Sequence, residues 1–163
     1  MADKTIEKFG TIHKTIWGDA HGVIKRLLTV QRAMLVARGA TEVTEVADPI
    51  HAITHELGHV ITATSEARRW DVYIHAEDRI GVRCARAIVE ECEANGGSHA
   101  IVVSIEGPTP FTRRECDGKR VQVFLARDVC VNIVDHCLVP RHERVDAPPE
   151  GVLVEELPRM ETT

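Results

Sequence analysis

Apolar positions along the chain change period several times, and each change predicts an element. Across residues 19–38, Val23, Ile24, Leu27, Leu28, Met34 and Leu35 recur at helical spacing, with Thr29 and Val30 blurring the stripe. Gly39 follows as a stop, so the spacing predicts an amphipathic helix packed on an apolar surface. A shorter helix is predicted from Asp48, whose carboxylate suits a cap and whose neighbour Pro49 suits the first helical position, ending near Leu57 with Gly58 as its terminator. The period then switches. Val60, Ile61, Thr62 and Thr64 are β-formers, residues 70–75 alternate strictly, and the polar residues 64–69 between them predict a hairpin loop. After Gly81, the positions Val82, Ala85, Ile88, Val89 and Cys92 are helical, and Asn95-Gly96-Gly97 is a strong stop. Residues 100–105 form a continuous apolar run of strand length, the mark of a central strand covered on both faces. Glu106-Gly107-Pro108-Thr109-Pro110 breaks that run, and residues 121–124 and 129–134 are predicted as the last strands.

Helices interleaved with a mixed set of four or five strands predict an α/β fold over about the first 135 residues. The stretch 129–145 reads as a strand leaving this unit and becoming a connector stiffened by Pro140, and the remainder is too short to hold a core of its own. A chain of 163 residues is long enough for one real core without disulfide or metal staples. Its net charge of -5, with 28% charged residues of mixed sign, argues against a surface that binds phosphate backbone all over, so nucleic-acid contact is expected to be local. The five cysteines, Cys84, Cys92, Cys116, Cys130 and Cys137, are odd in number and make no CxxC pair; they are expected to be reduced and mostly structural. The N-terminus lacks an apolar signal region and no run approaches the ~18 apolar residues of a membrane span, so a soluble, intracellular protein is expected.

One motif invites a metal. His55-Glu56-Leu57-Gly58-His59 spells H-E-x-x-H, in which two histidines one helical turn apart bind zinc and the glutamate activates the metal-bound water. The metzincin continuation requires glycine at position 62 and histidine at position 65, where this chain has Thr62 and Ser65, which leaves Glu66 as a more distant third ligand. Both imidazoles share a face only if the helix runs past the second histidine, and residues 60–64 read as strand, so the expected arrangement is two histidines at a frayed helix end. His136, Cys137 and His142 make a poorer ligand set, because consecutive residues of an extended chain point to opposite faces. There is no phosphate-cradling G-x-x-x-x-G-K motif. Asp71, the only acidic residue inside a predicted strand, is read as solvated rather than as part of a nuclease site.

Several stretches together resemble a known family. Arg79-Ile80-Gly81-Val82 before a helix, then Ala100-Ile101-Val102-Val103-Ser104, then Gly107-Pro108-Thr109-Pro110 are similar to the fifth subunit shared by the eukaryotic nuclear RNA polymerases I, II and III. Asn132-Ile133, Asp135-His136, Leu138-Val139-Pro140 and His142 resemble that family's Asn-Ile-x-Glu-His-x-Leu-Val-Pro-x-His segment, and Leu157-Pro158-Arg159-Met160 its Leu-Pro-Arg-Ile. The motifs fall in the family's order and cover roughly residues 22–163, weakly before Trp70. The departures are Phe111-Thr112 in place of small residues after the Thr-Pro turn, and a short link carrying Pro148-Pro149 where the family has a helix.

The resemblance implies an N-terminal jaw domain, residues 1–135, joined to residues 136–163 as a linker and a partial assembly domain, truncated or divergent, of the kind shared with the archaeal H subunit. It implies a subunit with no catalytic site, metal or cofactor, taking part in transcription in the nucleus within a multi-subunit complex. Its expected partners are the largest polymerase subunit, other core subunits and downstream double-stranded DNA, with no membrane and no small-molecule substrate. His136, Leu138, Val139, Pro140, His142, Leu157, Pro158 and Arg159 then fall at the subunit interface, and Thr109 and Pro110 at the turn that approaches the duplex. Arg113 and Arg114, just beyond, are either phosphate contacts, which position without reading sequence, or solvated side chains. The alternative function is a small zinc-dependent hydrolase using the motif at 55–59.

Overall fold

The computed structural model describes residues 6–12, 19–55, 57–77, 79–116 and 121–132. After a 3-10 turn at Glu7–Thr11, the elements are α1 (Ala20–Ala37), β1 (Glu42–Glu45), α2 (Pro49–His55), β2 (His59–Thr64), β3 (Arg69–Ile74), α3 (Val82–Ala94), β4 (His99–Ser104), α4 (Pro110–Cys116) and β5 (Val121–Leu125). The fold is mixed α/β, with one five-stranded sheet in the order β1-β2-β3-β4-β5. The first three strands pair antiparallel; β3, β4 and β5 run parallel, with α3 and α4 as the crossovers. In the antiparallel half, β2 and β3 are joined by a short hairpin and the link from β1 to β2 carries α2, whereas each parallel step requires a connection back over a sheet face.

The helix starts follow the side chains. Asp19 caps α1 by accepting from the Gly22 N–H at 2.9 Å, and Gly39 leaves the helix at a φ of 92°. Asp48 caps α2 in the same way, accepting from the His51 N–H at 3.0 Å, with Pro49 at the first helical position. Gly58, at a φ of 84°, turns the chain from α2 into β2, and a Cβ there would collide with the Ile74 carbonyl.

Two apolar layers lie on opposite faces of the sheet. Val23, Ile24, Leu27 and Leu35 of α1 bury against Ile61, Ala63, Val72, Ile74, Ile101 and Val103. On the other face, Ile80 and the α3 residues Ala85, Ile88 and Cys92 bury against Tyr73, Ala100 and Val102, with Cys116 of α4 beside them. The alternation of β3 and β4 residues between these layers is the period-2 geometry of a strand covered on both sides. At ~1.5–3 kcal/mol for each large apolar side chain removed from water, these layers dominate the favourable side of folding.

The sequence expectations for α1, α2, β2, the hairpin, β3, α3, β4 and β5 match these elements closely, with α2 stopping at His55, two residues short of the expected end. One strand is corrected. Residues 129–132, the described part of the predicted strand 129–134, are not a strand but follow a turn at 126–128, closed as the Val129 N–H reaches back to the carbonyls of Leu125 and Ala126, both at 3.3 Å. Val129 and Cys130 are apolar because the turn tucks them into the α1-side core, and Arg26 Nε donates to the Cys130 carbonyl at 3.2 Å. The fifth strand is β1 instead, at the opposite edge. No helix among the described residues is long and apolar enough to cross a membrane.

Candidate functional site

The C-terminal ends of β3 and β4 bring three separated stretches of sequence together. Past β4, the Ser104 hydroxyl donates to the Glu106 carbonyl at 2.6 Å, which bends the chain toward Gly107-Pro108. Thr109 then caps α4, its Oγ1 accepting from the Thr112 N–H at 3.2 Å. Thr112 is fully buried, and its hydroxyl donates to the Ile80 carbonyl at 2.9 Å while standing 2.9 Å from the Thr109 hydroxyl. Because the Thr112 proton goes to Ile80, the Thr109 hydroxyl is the donor between the two. Arg79 pairs with Glu106 at 2.5 Å, and Arg86 of α3 with Glu115 of α4 at 3.1 Å. The loop before α3, the turn after β4 and α4 are therefore tied into one unit.

This unit presents Pro110 and Phe111 outward, Phe111 being 71% exposed. Arg113 and Arg114 are exposed on the last turn of α4, and no carboxylate among the described residues holds either one. Arg113 also lines a small cavity of about 150 Å³ with Pro108, Cys116, Val121 and Val123. Chemically this is a rigid turn carrying two available guanidinium groups, suited to phosphate oxygens.

The zinc motif is not assembled. His55 ends α2 and His59 opens β2, so the two histidines occupy different elements; Glu56 lies outside the described residues. A register shift between His59 and Ile61 turns both Val60 and Ile61 toward the α1-side core and puts His59 on the opposite face. There its Nε2 lies 3.3 Å from Asp71 Oδ1 and 3.2 Å from the Thr62 hydroxyl. The Thr62 proton goes to Asp71 at 3.0 Å, so His59 Nε2 carries a hydrogen and donates. No group of three or more His, Cys, Asp or Glu side chains among the described residues is placed to hold a metal.

Asp71 is itself a correction. It is fully buried rather than solvated, on the same sheet face as Tyr73, beneath the end of α3. Its carboxylate accepts from Thr62, His59 and Arg69, the last at 3.3 Å, and from the Cys92 thiol at 3.6 Å. Burial alone would raise its pKa; the hydrogen bonds from His59, Arg69 and Thr62 outweigh that and hold it below the ordinary carboxylate value. Burial and the Asp71 charge together push the Cys92 thiol up to about 11. Gly97 completes the enclosure, since a Cβ there would collide with Asp71 and Cys92. The signal for this burial was in the sequence: a β4 covered on both faces implies that its neighbour β3 is covered too, so the polar position in its alternation had to be paired.

His75 and Cys84 also meet, with Nδ1 and Sγ 3.6 Å apart where β3 ends and α3 begins. Burial and then Glu77 push the Cys84 thiol up, and burial lowers the pKa of His75, so near neutral pH the pair is a neutral thiol beside a neutral imidazole and no activated nucleophile. Cys84, Cys92, Cys116 and Cys130 are all free thiols. The interface residues His136, Leu138, Val139, Pro140, His142, Leu157, Pro158 and Arg159, with the poorer ligand candidate Cys137, lie outside the described residues. No protein-family model matches this chain, and no curated protein matches it either.

Proposed function

We propose that this chain is a non-catalytic subunit of a DNA-dependent RNA polymerase, docking on the largest subunit and holding its α/β jaw beside downstream double-stranded DNA in the nucleus. The observation that carries the reading is the convergence of the resemblance motifs. Arg79-Ile80, the end of 100–104 and the Thr109-Pro110 turn are distant in sequence yet joined by the Thr112 to Ile80, Arg79 to Glu106 and Ser104 to Glu106 contacts. Stretches that must fit together in one turn have reason to carry matched residues. The two available arginines beyond that turn support a phosphate contact, which needs charge and position but no base-reading group. Residues 136–142 and 157–159 are the proposed docking segment. The zinc hydrolase reading has no supporting geometry, because His59 is committed to Asp71 on a different sheet face from the one α2 would need.

The test is recovery of partners. An affinity-tagged full chain expressed in its source cells is expected to bring down the largest polymerase subunits from a nuclear extract. Isolation of the chain alone, under salt conditions that preserve polymerase, would overturn the assignment.

A further inference from the structure

α3 carries its charges the wrong way round for its own stability. Arg83 and Arg86 stand in its first two turns and Glu90, Glu91 and Glu93 in its second half, with no acidic side chain in the first turn and no basic one in the last. The helix dipole favours the opposite arrangement, acids at the positive N-terminal end and bases at the C-terminal end. The two arginines are therefore not placed for the stability of the helix, and the element packed beside them accounts for their position.

α4 runs alongside that half of α3 in the same direction. Thr112 donates to the Ile80 carbonyl at 2.9 Å just before α3 begins, and one turn further along each helix Glu115 meets Arg86 at 3.1 Å. Arg83 lies between Ile80 and Arg86, and Arg113 and Arg114 lie between Thr112 and Glu115, so all three belong to one short stretch of helix pair. Packed helices are about 8–10 Å apart between axes, within the span of side chains this long. Arg86 is neutralised by Glu115, whereas Arg83, like Arg113 and Arg114, is exposed and held by no carboxylate among the described residues. With Val82, Arg86, Ala87 and Glu90, Arg83 lines an open hollow of about 570 Å³ on the outer face of α3. From this alignment we infer that α3 is the second half of a duplex-binding surface, with Arg83 a further phosphate contact beside Arg113 and Arg114. The inference rests on the DNA contact proposed above and adds to it a residue and a footprint: the duplex lies across α3 and α4 together.

Charge and shape both fit a phosphate backbone. Guanidinium groups take phosphate oxygens through paired N–H donors. A duplex presents a rigid double row of charges, one per roughly 1.7 Å of its axis, so guanidinium groups fixed on two neighbouring helices meet it at once. α3 has no aromatic side chain on which an unpaired base could stack. The glutamates in the second half of α3 repel the same backbone and confine the footprint to its first two turns.

The experiment is fluorescence anisotropy of a labelled DNA duplex titrated with the full chain across a potassium chloride series. It compares wild type, Arg83→Ala, the double substitution Arg113→Ala with Arg114→Ala, and Arg38→Ala, with circular dichroism to verify that each variant is folded. Arg38 is exposed at the end of α1, on the other face of the sheet, so Arg38→Ala makes the same change in net charge away from the surface. Arg83→Ala is expected to flatten the logarithmic salt dependence by about 0.9, so that a fourfold rise in salt costs it about 3.5-fold less affinity than it costs wild type, whatever the duplex sequence. Arg38→Ala should keep the wild-type slope. A slope unchanged by Arg83→Ala while the double substitution flattens it overturns the inference and leaves the α4 contact standing. Slopes unchanged by both, or no measurable duplex binding, overturn the DNA contact itself. Equal flattening by Arg83→Ala and Arg38→Ala reduces the effect to net charge and overturns the inference too. The same titration with labelled polyglutamate is the last arm: a loss on Arg83→Ala seen there and not with the duplex assigns the surface to an acidic polypeptide instead.

Discussion

Asp71 carries the largest single-residue consequence. A carboxylate with no solvent exposure is tolerated because Thr62, His59 and Arg69 surround Oδ1 and the Cys92 thiol reaches Oδ2. Asp71→Ala would strand these donors, and since Arg69 is itself a third exposed, the expected loss lies at the low end for a broken buried pair, about 3 kcal/mol in urea denaturation. Asp71 also has a pH signature. Its folded pKa lies below the ordinary 3.8, so the folded state holds the ionised form more tightly than the unfolded chain does. The resulting stabilisation is complete above that ordinary value and is lost as pH falls below it toward the folded pKa. Wild-type stability is therefore expected to decline below about pH 4 with a contribution that Asp71→Asn lacks. Equal pH slopes for the two proteins in that window would show that the carboxylate is not held as described.

At the scale of elements, α4 shows what the sequence pattern hides. It has seven residues, and its buried positions are Thr112 and Cys116, one turn apart. Because Thr112 is polar and the large apolar residue Phe111 faces water, the hydrophobic stripe that reveals α1 and α3 is absent. The Thr109 cap and Pro110 at the first helical position are start signals, but they sit inside a Gly-Pro-Thr-Pro run that reads first as a turn. β1 escaped for a related reason: an edge strand with one partly buried residue, Val43, between charged and polar neighbours carries almost no apolar alternation. Residues 129–132 misled in the other direction, since the buried apolar side chains of Val129 and Cys130 just after a turn imitate a strand until the backbone partners are known. The long elements were legible because burial and period agree in them. The site was less so, because its long-range ties are made by side chains and join residues some thirty positions apart. Thr112→Val tests one such tie. It keeps the shape but removes the donor to Ile80 and a partner of Thr109, at an expected cost of about 1–3 kcal/mol, read as a lower denaturant midpoint with an unchanged slope.

For the molecule as a whole, charge decides how a duplex is met. A net charge of -5 repels DNA at long range, so any contact must come from a local cationic feature held at the surface of the domain. Two described arginines near the parallel-strand end are already engaged, Arg79 by Glu106 and Arg86 by Glu115, whereas Arg113 and Arg114 project from α4 with no carboxylate partner among the described residues. If these two neutralise phosphates, each releases condensed counterions on binding, and the logarithmic salt dependence of duplex affinity carries a slope of roughly -0.9 per phosphate contact. The double substitution Arg113→Ala with Arg114→Ala should then flatten that slope by about 1.8 and weaken binding by the same factor for unrelated duplex sequences, as measured by fluorescence anisotropy across a salt series. The fold should be unaffected, since both side chains are exposed and α4 is anchored through Thr112 and Cys116. A slope identical to wild type would remove the arginines from the interface, and a loss confined to one duplex sequence would mean that they read bases rather than backbone.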